Sequence, residues 1–283
     1  MAIILITGAS GVLGRSLVQA FTGTNLLVRR GVRKPSEVPG AETVYFDYAK
    51  PETFDPALAG ARGIILMAPP LDPEAPTKLK PVIEVAKHAG VGRIALISAF
   101  GVNFNEQAPL RIVEHQVMDS GIPYNVLRPN FFMENFSKGF LSGTIRSQSG
   151  IFLAAGEGKT SFVSVDDIAS VAVRCFSEGI DKPELDLTGP EALDHAEVAA
   201  IISDVSGRTV SFHPLTEEQM VAGARAAGIP ESAIGYMMVL YSVVRAGYAA
   251  AVTRDVEQVL GRPPISFRRF AQKNTAAWMT ASA

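Results

Sequence analysis

The run Thr7-Gly8-Ala9-Ser10-Gly11-Val12-Leu13-Gly14 sets three glycines three residues apart, between an apolar segment and one of helical periodicity. Glycine at the first position permits a tight turn. At the second it lets a pyrophosphate approach the backbone, and at the third it lets the following helix pack close on the strand. Amides at a helix start attract anionic oxygens, and Ser10 can add a hydroxyl. A glycine turn with no ligand is the alternative, and the strand–turn–helix context favours a dinucleotide over it. The end of the second strand decides which one: an acid there would bind the ribose 2′-hydroxyl, an arginine a 2′-phosphate. The chain has Val28-Arg29-Arg30, with Arg33 close behind and no acid. A solvated basic loop would read the same way, but the arginines favour NADP(H) over NAD(H).

Other side chains carry weaker signals. Ser98 follows an apolar run and could orient a substrate oxygen or bond the local backbone. His115, next to Glu114 on a predicted helix, could shuttle protons or sit half-exposed with no role. His88 stands late in a helix, where a positive charge suits the dipole. His195 and His213 show no metal spacing, and no metal is expected. The single cysteine, Cys175, excludes a disulfide framework and reads as a small core residue. Phe131, Phe132, Met133 and Phe136 could be core or pocket wall. Tyr236, Met237, Met238, Tyr241 and Val244 recur at helical spacing, which favours packing over the roof of an aromatic site.

The elements that must position these residues are apolar runs of the kind buried on both faces of a parallel sheet. They fall at 2–7, 25–28, 43–46, 63–67, 93–97, 124–127 and 185–188, with helical stretches at 15–21, 82–88 and 111–119. Alternation of this kind predicts an α/β fold, a doubly wound parallel sheet of Rossmann type. A further strand–helix unit is predicted to start at Phe162, with Asp166 and Asp167 at the positive end of its helix. Residues 130–155 read as a lid-like insertion. The expected division is 1–190 for the dinucleotide-binding domain and 191–283 for a smaller, mostly helical lobe that covers a substrate.

The 283 residues are 47% hydrophobic and 19% charged, enough apolar content for one or two full cores. A net charge of −2 gives no electrostatic case for nucleic acid or an anionic membrane. No apolar run approaches the roughly 18 residues of a membrane helix. The first strand starts beside Met1, leaving no room for a signal peptide. A cytoplasmic protein, monomeric or homodimeric, is the expectation.

Taken jointly, the TGASGVLG turn, Val28-Arg29, Phe46-Asp47-Tyr48 and the stretches 86–98, 120–135, 164–169, 187–191 and 253–261 resemble the NmrA-like branch of atypical short-chain dehydrogenases. Within that branch the chain is similar to the triphenylmethane reductase and NADPH:quinone reductase group. The resemblance implies that Gly8, Ser10, Gly11, Val12, Leu13 and Gly14 hold or shape the pyrophosphate site, and that Arg29 meets the 2′-phosphate. It further implies Asp47 and Tyr48 beside the adenine, and Met67, Ala68 and Pro69 along the ribose. Ser98, Ala99 and Phe100 would sit by the nicotinamide, with Pro129, Asn130, Phe131 and Phe132 closing over it.

One departure bears on chemistry. Ordinary short-chain dehydrogenases pass a proton from a Tyr-x-x-x-Lys pair, and no tyrosine here has lysine four residues on: Tyr124 leads to Arg128 and Tyr241 to Arg245. The pair's place is taken by Glu106 and Leu110, which leaves Ser98 and His115 as the catalytic candidates. The expected activity is hydride transfer from NADPH to a flat conjugated acceptor: a quinone, a cationic dye or an imine. The alternative is a non-catalytic NADP(H) sensor of the NmrA type.

Overall fold

The computed structural model describes residues 1–70 and 72–279, so the last four residues of the expected C-terminal lobe lie outside the described residues. In chain order, β1 (Ala2–Ile6) leads into α1 (Val12–Phe21), β2 (Leu26–Val32), β3 (Ala41–Tyr45), α2 (Phe54–Leu58), β4 (Ala61–Met67) and α3 (Ala75–His88). Then come β5 (Ile94–Ile97), α4 (Pro109–Met118), β6 (Tyr124–Pro129), α5 (Phe140–Gln148), β7 (Gly150–Leu153), α6 (Val165–Ser177) and β8 (Glu184–Leu187). The chain continues through α7 (His195–Ser206), β9 (Ser211–Pro214), α8 (Glu217–Ala226), α9 (Glu231–Arg245), α10 (Asp255–Leu260) and α11 (Phe267–Asn274).

Seven strands form one sheet in the order β3-β2-β1-β4-β5-β6-β8, and every pair is parallel. This is the doubly wound Rossmann arrangement the apolar runs predict. The order reverses between β1 and β4, and the carboxyl ends of those strands form the switch point where such sheets bind ligands.

The chain divides into two compact units, each with its own core. The first contains Met1–Pro129, Val165–Leu187 and Asp255–Arg262. Its core gathers Leu5, Phe54, Ile64, Leu79, Ile94, Val117 and Val126. The second contains Asn130–Ser164, Thr188–Arg254 and Pro263–Ala283. Its core is aromatic: Phe136, Phe162, Phe267, Phe270 and Trp278 are all buried there. The chain therefore alternates between the units, where the sequence suggested a single boundary near 190. The segment expected as a lid on the first domain belongs with the second unit.

Three local readings need correction. The second strand does not end at Val28 but runs on to Val32, so Arg29 and Arg30 lie inside it. Both arginines are buried. Phe162 opens no strand; Val163 makes only an isolated bridge to Phe132. α6 nevertheless begins at Val165, with Asp166 and Asp167 in its first turn. The second unit also holds a small parallel sheet, β7 beside β9, which sequence did not show.

Candidate functional site

The glycine turn is built as its spacing demands. Gly8 sits at φ +61°, a conformation that L side chains rarely adopt. A Cβ on Gly14 would fall 2.3 Å from the Gly8 carbonyl oxygen and 2.6 Å from Ala9 Cα, so only glycine lets α1 come this close to the strand exit. A Cβ on Gly11 would meet only the Gly8 oxygen, at 3.4 Å. Gly11 caps α1 without any side-chain bond, and the first turn of the helix carries no acid. The Gly11 amide donates to Gly8 and the Arg15 amide to Gly11. Between them, the amides of Val12, Leu13 and Gly14 have no acceptor among the described residues. Three free N–H groups at the positive end of a ten-residue helix suit an anion. This turn fits a dinucleotide pyrophosphate.

The strand ends beside the turn are locked together. The Thr7 amide donates to the Ile65 carbonyl at 3.1 Å, and the Met67 amide donates to Thr7 Oγ1 at 2.9 Å. The Tyr48 hydroxyl donates to the Met67 carbonyl at 2.6 Å and lies 3.1 Å from Thr7 Oγ1. Burial pushes the Tyr48 phenol well above its ordinary pKa. Asp47 turns back to accept from the Ala49 amide at 3.1 Å. The Met67 side chain lies over Gly8, and Ala68 and Pro69 follow it half-buried.

Arg29 does not stand where a 2′-phosphate contact was expected. Its Nη1 donates to the Ala57 carbonyl at 2.9 Å and the Ala59 carbonyl at 2.6 Å, and its Nε pairs with Glu42 at 3.0 Å. Arg30 is tied to Ser36 and Thr43. The residue that follows the true end of β2 is Arg33, which is exposed and makes no hydrogen bond or ion pair among the described residues.

Past β5, the Ser98 amide donates to the Leu127 carbonyl at 2.8 Å and the Phe100 amide to Pro129 at 3.0 Å, carrying Ser98, Ala99 and Phe100 along β6. The Ser98 hydroxyl donates to Glu114. Glu114 is fully buried and also receives Arg128 and Arg111, an ion cluster that sequence reasoning did not find. Burial pushes its carboxyl up, and Arg128, Ser98 and Arg111 together hold it below the ordinary range. Arg128 further pairs with Glu184 on β8. His115, half-buried, joins the edge of this cluster through Glu106, which lies 2.7 Å from its Nε2 and also pairs with Arg111 Nε at 3.1 Å.

Pro129 ends the first stretch of the first unit, and Asn130 and Phe131 begin the second unit. Asn130 is buried, and its Nδ2 donates to Ser161 Oγ and the Ala249 carbonyl, both at 2.8 Å. Its Oδ1 accepts from the Phe131 amide at 2.9 Å. The side chain thus fixes the backbone that presents Phe131, whose ring lies 6.3 Å from that of Tyr241.

With this geometry in place, the profile of the NAD(P)H-binding family matches residues 8–179. The chain belongs to that family. It is 34% identical over 278 residues to the uncharacterized oxidoreductase YesF of Bacillus subtilis, covering 97% of this chain and 96% of the relative. It is 31% identical over 287 residues to an NAD(P)H azoreductase of Xenophilus azovorans, covering 97% and 99%. The triphenylmethane reductase of Citrobacter sp., solved with NADP(H), superposes with a TM-score of 0.81 at 22% identity, over 97% of this chain and all of that one. The resemblance to that reductase group read from the sequence is confirmed at the level of the fold. No helix among the described residues is long and apolar enough to cross a membrane.

Proposed function

We propose that this protein is an NADPH-dependent reductase that delivers a hydride to a flat conjugated acceptor. The observation that carries the reading is the glycine turn: three unpartnered amides at the head of α1, beside the switch point of the sheet, in a chain of the NAD(P)H-binding family. Val12, Leu13 and Gly14 would bind the pyrophosphate, with Ser10 beside them. Arg33, free at the end of β2, would take the 2′-phosphate in place of Arg29. The bound dinucleotide would supply the hydride, and the chain's own residues bind and orient.

Three groups that could give a proton are engaged elsewhere. Tyr48 is bonded inward with a raised pKa, the Ser98 proton points to Glu114, and His115 pairs with Glu106 at the surface. An acceptor that takes a hydride without a proton in the same step fits such a site. Azo and triphenylmethane compounds, named for one relative and one structural neighbour, are conjugated acceptors of this kind. Quinones and imines share that chemistry.

NADPH oxidation with a panel of quinones, cationic dyes, azo compounds and imines tests the proposal, with simple ketones as controls. Turnover is expected with the conjugated acceptors and little with ketones. Tight NADPH binding with no turnover on any acceptor would instead identify a dinucleotide sensor.

A further inference from the structure

Ser98 lies at the carboxyl end of β5, the edge at which doubly wound sheets bind their ligands. Its Oγ donates to Glu114 Oε1 at 2.6 Å. The same oxygen receives Arg128 Nε at 2.8 Å, and Oε2 receives Arg128 Nη2 at 2.8 Å and Arg111 Nη1 at 2.9 Å. Four donors converge on a carboxylate with no exposed surface, and their charges keep it ionised. A serine hydroxyl has one proton and two lone pairs, and an ionised carboxylate only accepts. The Ser98 proton is therefore committed to Glu114, and the hydroxyl has only lone pairs left to offer.

We infer that Ser98 meets its ligand solely as a hydrogen-bond acceptor, with Glu114 as the positioning residue that draws its proton away, so the ligand group opposite it carries an N–H or O–H. This rests on the reading of the chain as a dinucleotide-dependent reductase and refines it. It narrows the first expectation for Ser98, which was a hydroxyl that either orients a substrate oxygen or bonds the local backbone. The donor has two sources, the carboxamide N–H of the nicotinamide or an N–H or O–H of the acceptor.

The test compares the intact wild-type chain with Ser98→Ala and Glu114→Gln. Ser98→Ala leaves three donors on Glu114, so the buried cluster stays paired. NADPH and its 3-acetylpyridine analogue, in which a methyl ketone replaces the carboxamide, are titrated calorimetrically. If the carboxamide is the donor, Ser98→Ala weakens NADPH about three- to tenfold and leaves the analogue unchanged. Glu114→Gln releases the hydroxyl to rotate and narrows the same ratio, whereas a purely structural loss would weaken both dinucleotides equally. If the acceptor is the donor, both titrations stay level, and in both variants KM rises about three- to tenfold only for acceptors carrying N–H or O–H. Loss without regard to ligand, or selective loss for ligands offering only a carbonyl, overturns the inference. The titration needs no turnover, so an inactive protein with the expected affinity ratio fails the reductase reading alone. An active reductase whose variants treat all ligands alike fails this inference alone.

Discussion

Arg29 and Arg33 are four residues apart and do different things. Arg29 bonds two carbonyls at the end of α2 and pairs with Glu42. Removing it leaves acceptors without a donor in a buried place, which costs about 1–3 kcal/mol. Arg29→Ala is therefore expected to lower the melting temperature and to weaken NADPH and NADH alike. Arg33 is exposed at the strand end, with no competing partner among the described residues. A charge-assisted bond from it to a 2′-phosphate would be worth about 1.5–3 kcal/mol. Arg33→Ala is expected to weaken NADPH about ten- to a hundredfold, to spare NADH, and to leave the melt unchanged. Calorimetric titration of both variants with both dinucleotides decides the matter; selective NADPH loss in Arg29→Ala with Arg33→Ala silent would return the role to Arg29.

At the scale of the element, the strand–turn–helix of β1 and α1 separates two kinds of glycine. A side chain on Gly14 collides with the backbone of Gly8 and Ala9, so Gly14→Ala is expected to cost about 1–3 kcal/mol, seen as a lowered melt. Gly11 has φ −71° and room for a Cβ. Gly11→Val is expected to fold, at a cap cost of about 1 kcal/mol, and to lose NADPH binding because the valine methyls occupy the phosphate approach. A Gly11→Val protein that still binds NADPH normally would remove the turn from the site. The turn was legible because its spacing and flanking periodicity lie within residues 2–21. The doubly wound parallel sheet was legible for a similar reason, since most of its strands are short apolar runs, whereas their order comes from the structure. The end of β2 was not: two arginines read as a strand exit, and the groups that hold them inside, the Ala57 and Ala59 carbonyls for Arg29 and Ser36 and Thr43 for Arg30, lie further along the chain. The Glu114 cluster was hidden likewise, because it assembles from β5, α4 and β6. β7 and β9 are four residues each and pair across about 60 residues; β7 is a short apolar run, but β9 is mostly exposed and carries no apolar pattern to mark its partner.

At the scale of the whole molecule, the clusters described in the two units differ in make, and the second holds a buried titratable group. The first unit's core is largely aliphatic. The second unit's core is rich in aromatics, and among them lies His195, 3% exposed, with the rings of Phe136, Phe162, Phe212 and Tyr241 within 6.5 Å. Its Nδ1 has no hydrogen-bond partner among the described residues. Burial pushes the imidazole down to about 4, and Asp194, the neighbouring helix cap, opposes this only weakly. In the unfolded chain the same group titrates near 6.5. Between those values the unfolded chain binds the extra proton, so stability is full above about pH 6.5 and falls as the pH drops towards 4. The contribution of this one group reaches about 3 kcal/mol and grows no further below its folded pKa. Trp278, the only tryptophan, is buried in the same core and donates its indole N–H to the Phe136 carbonyl, so its fluorescence reports on the second unit. Melts followed at Trp278 are expected to shift down through this pH window in the wild type. His195→Phe keeps the ring and removes the titration, so its melts are expected to shift less, by the histidine's share. Identical pH profiles for the two proteins would show that His195 is not the group that couples this core to acid.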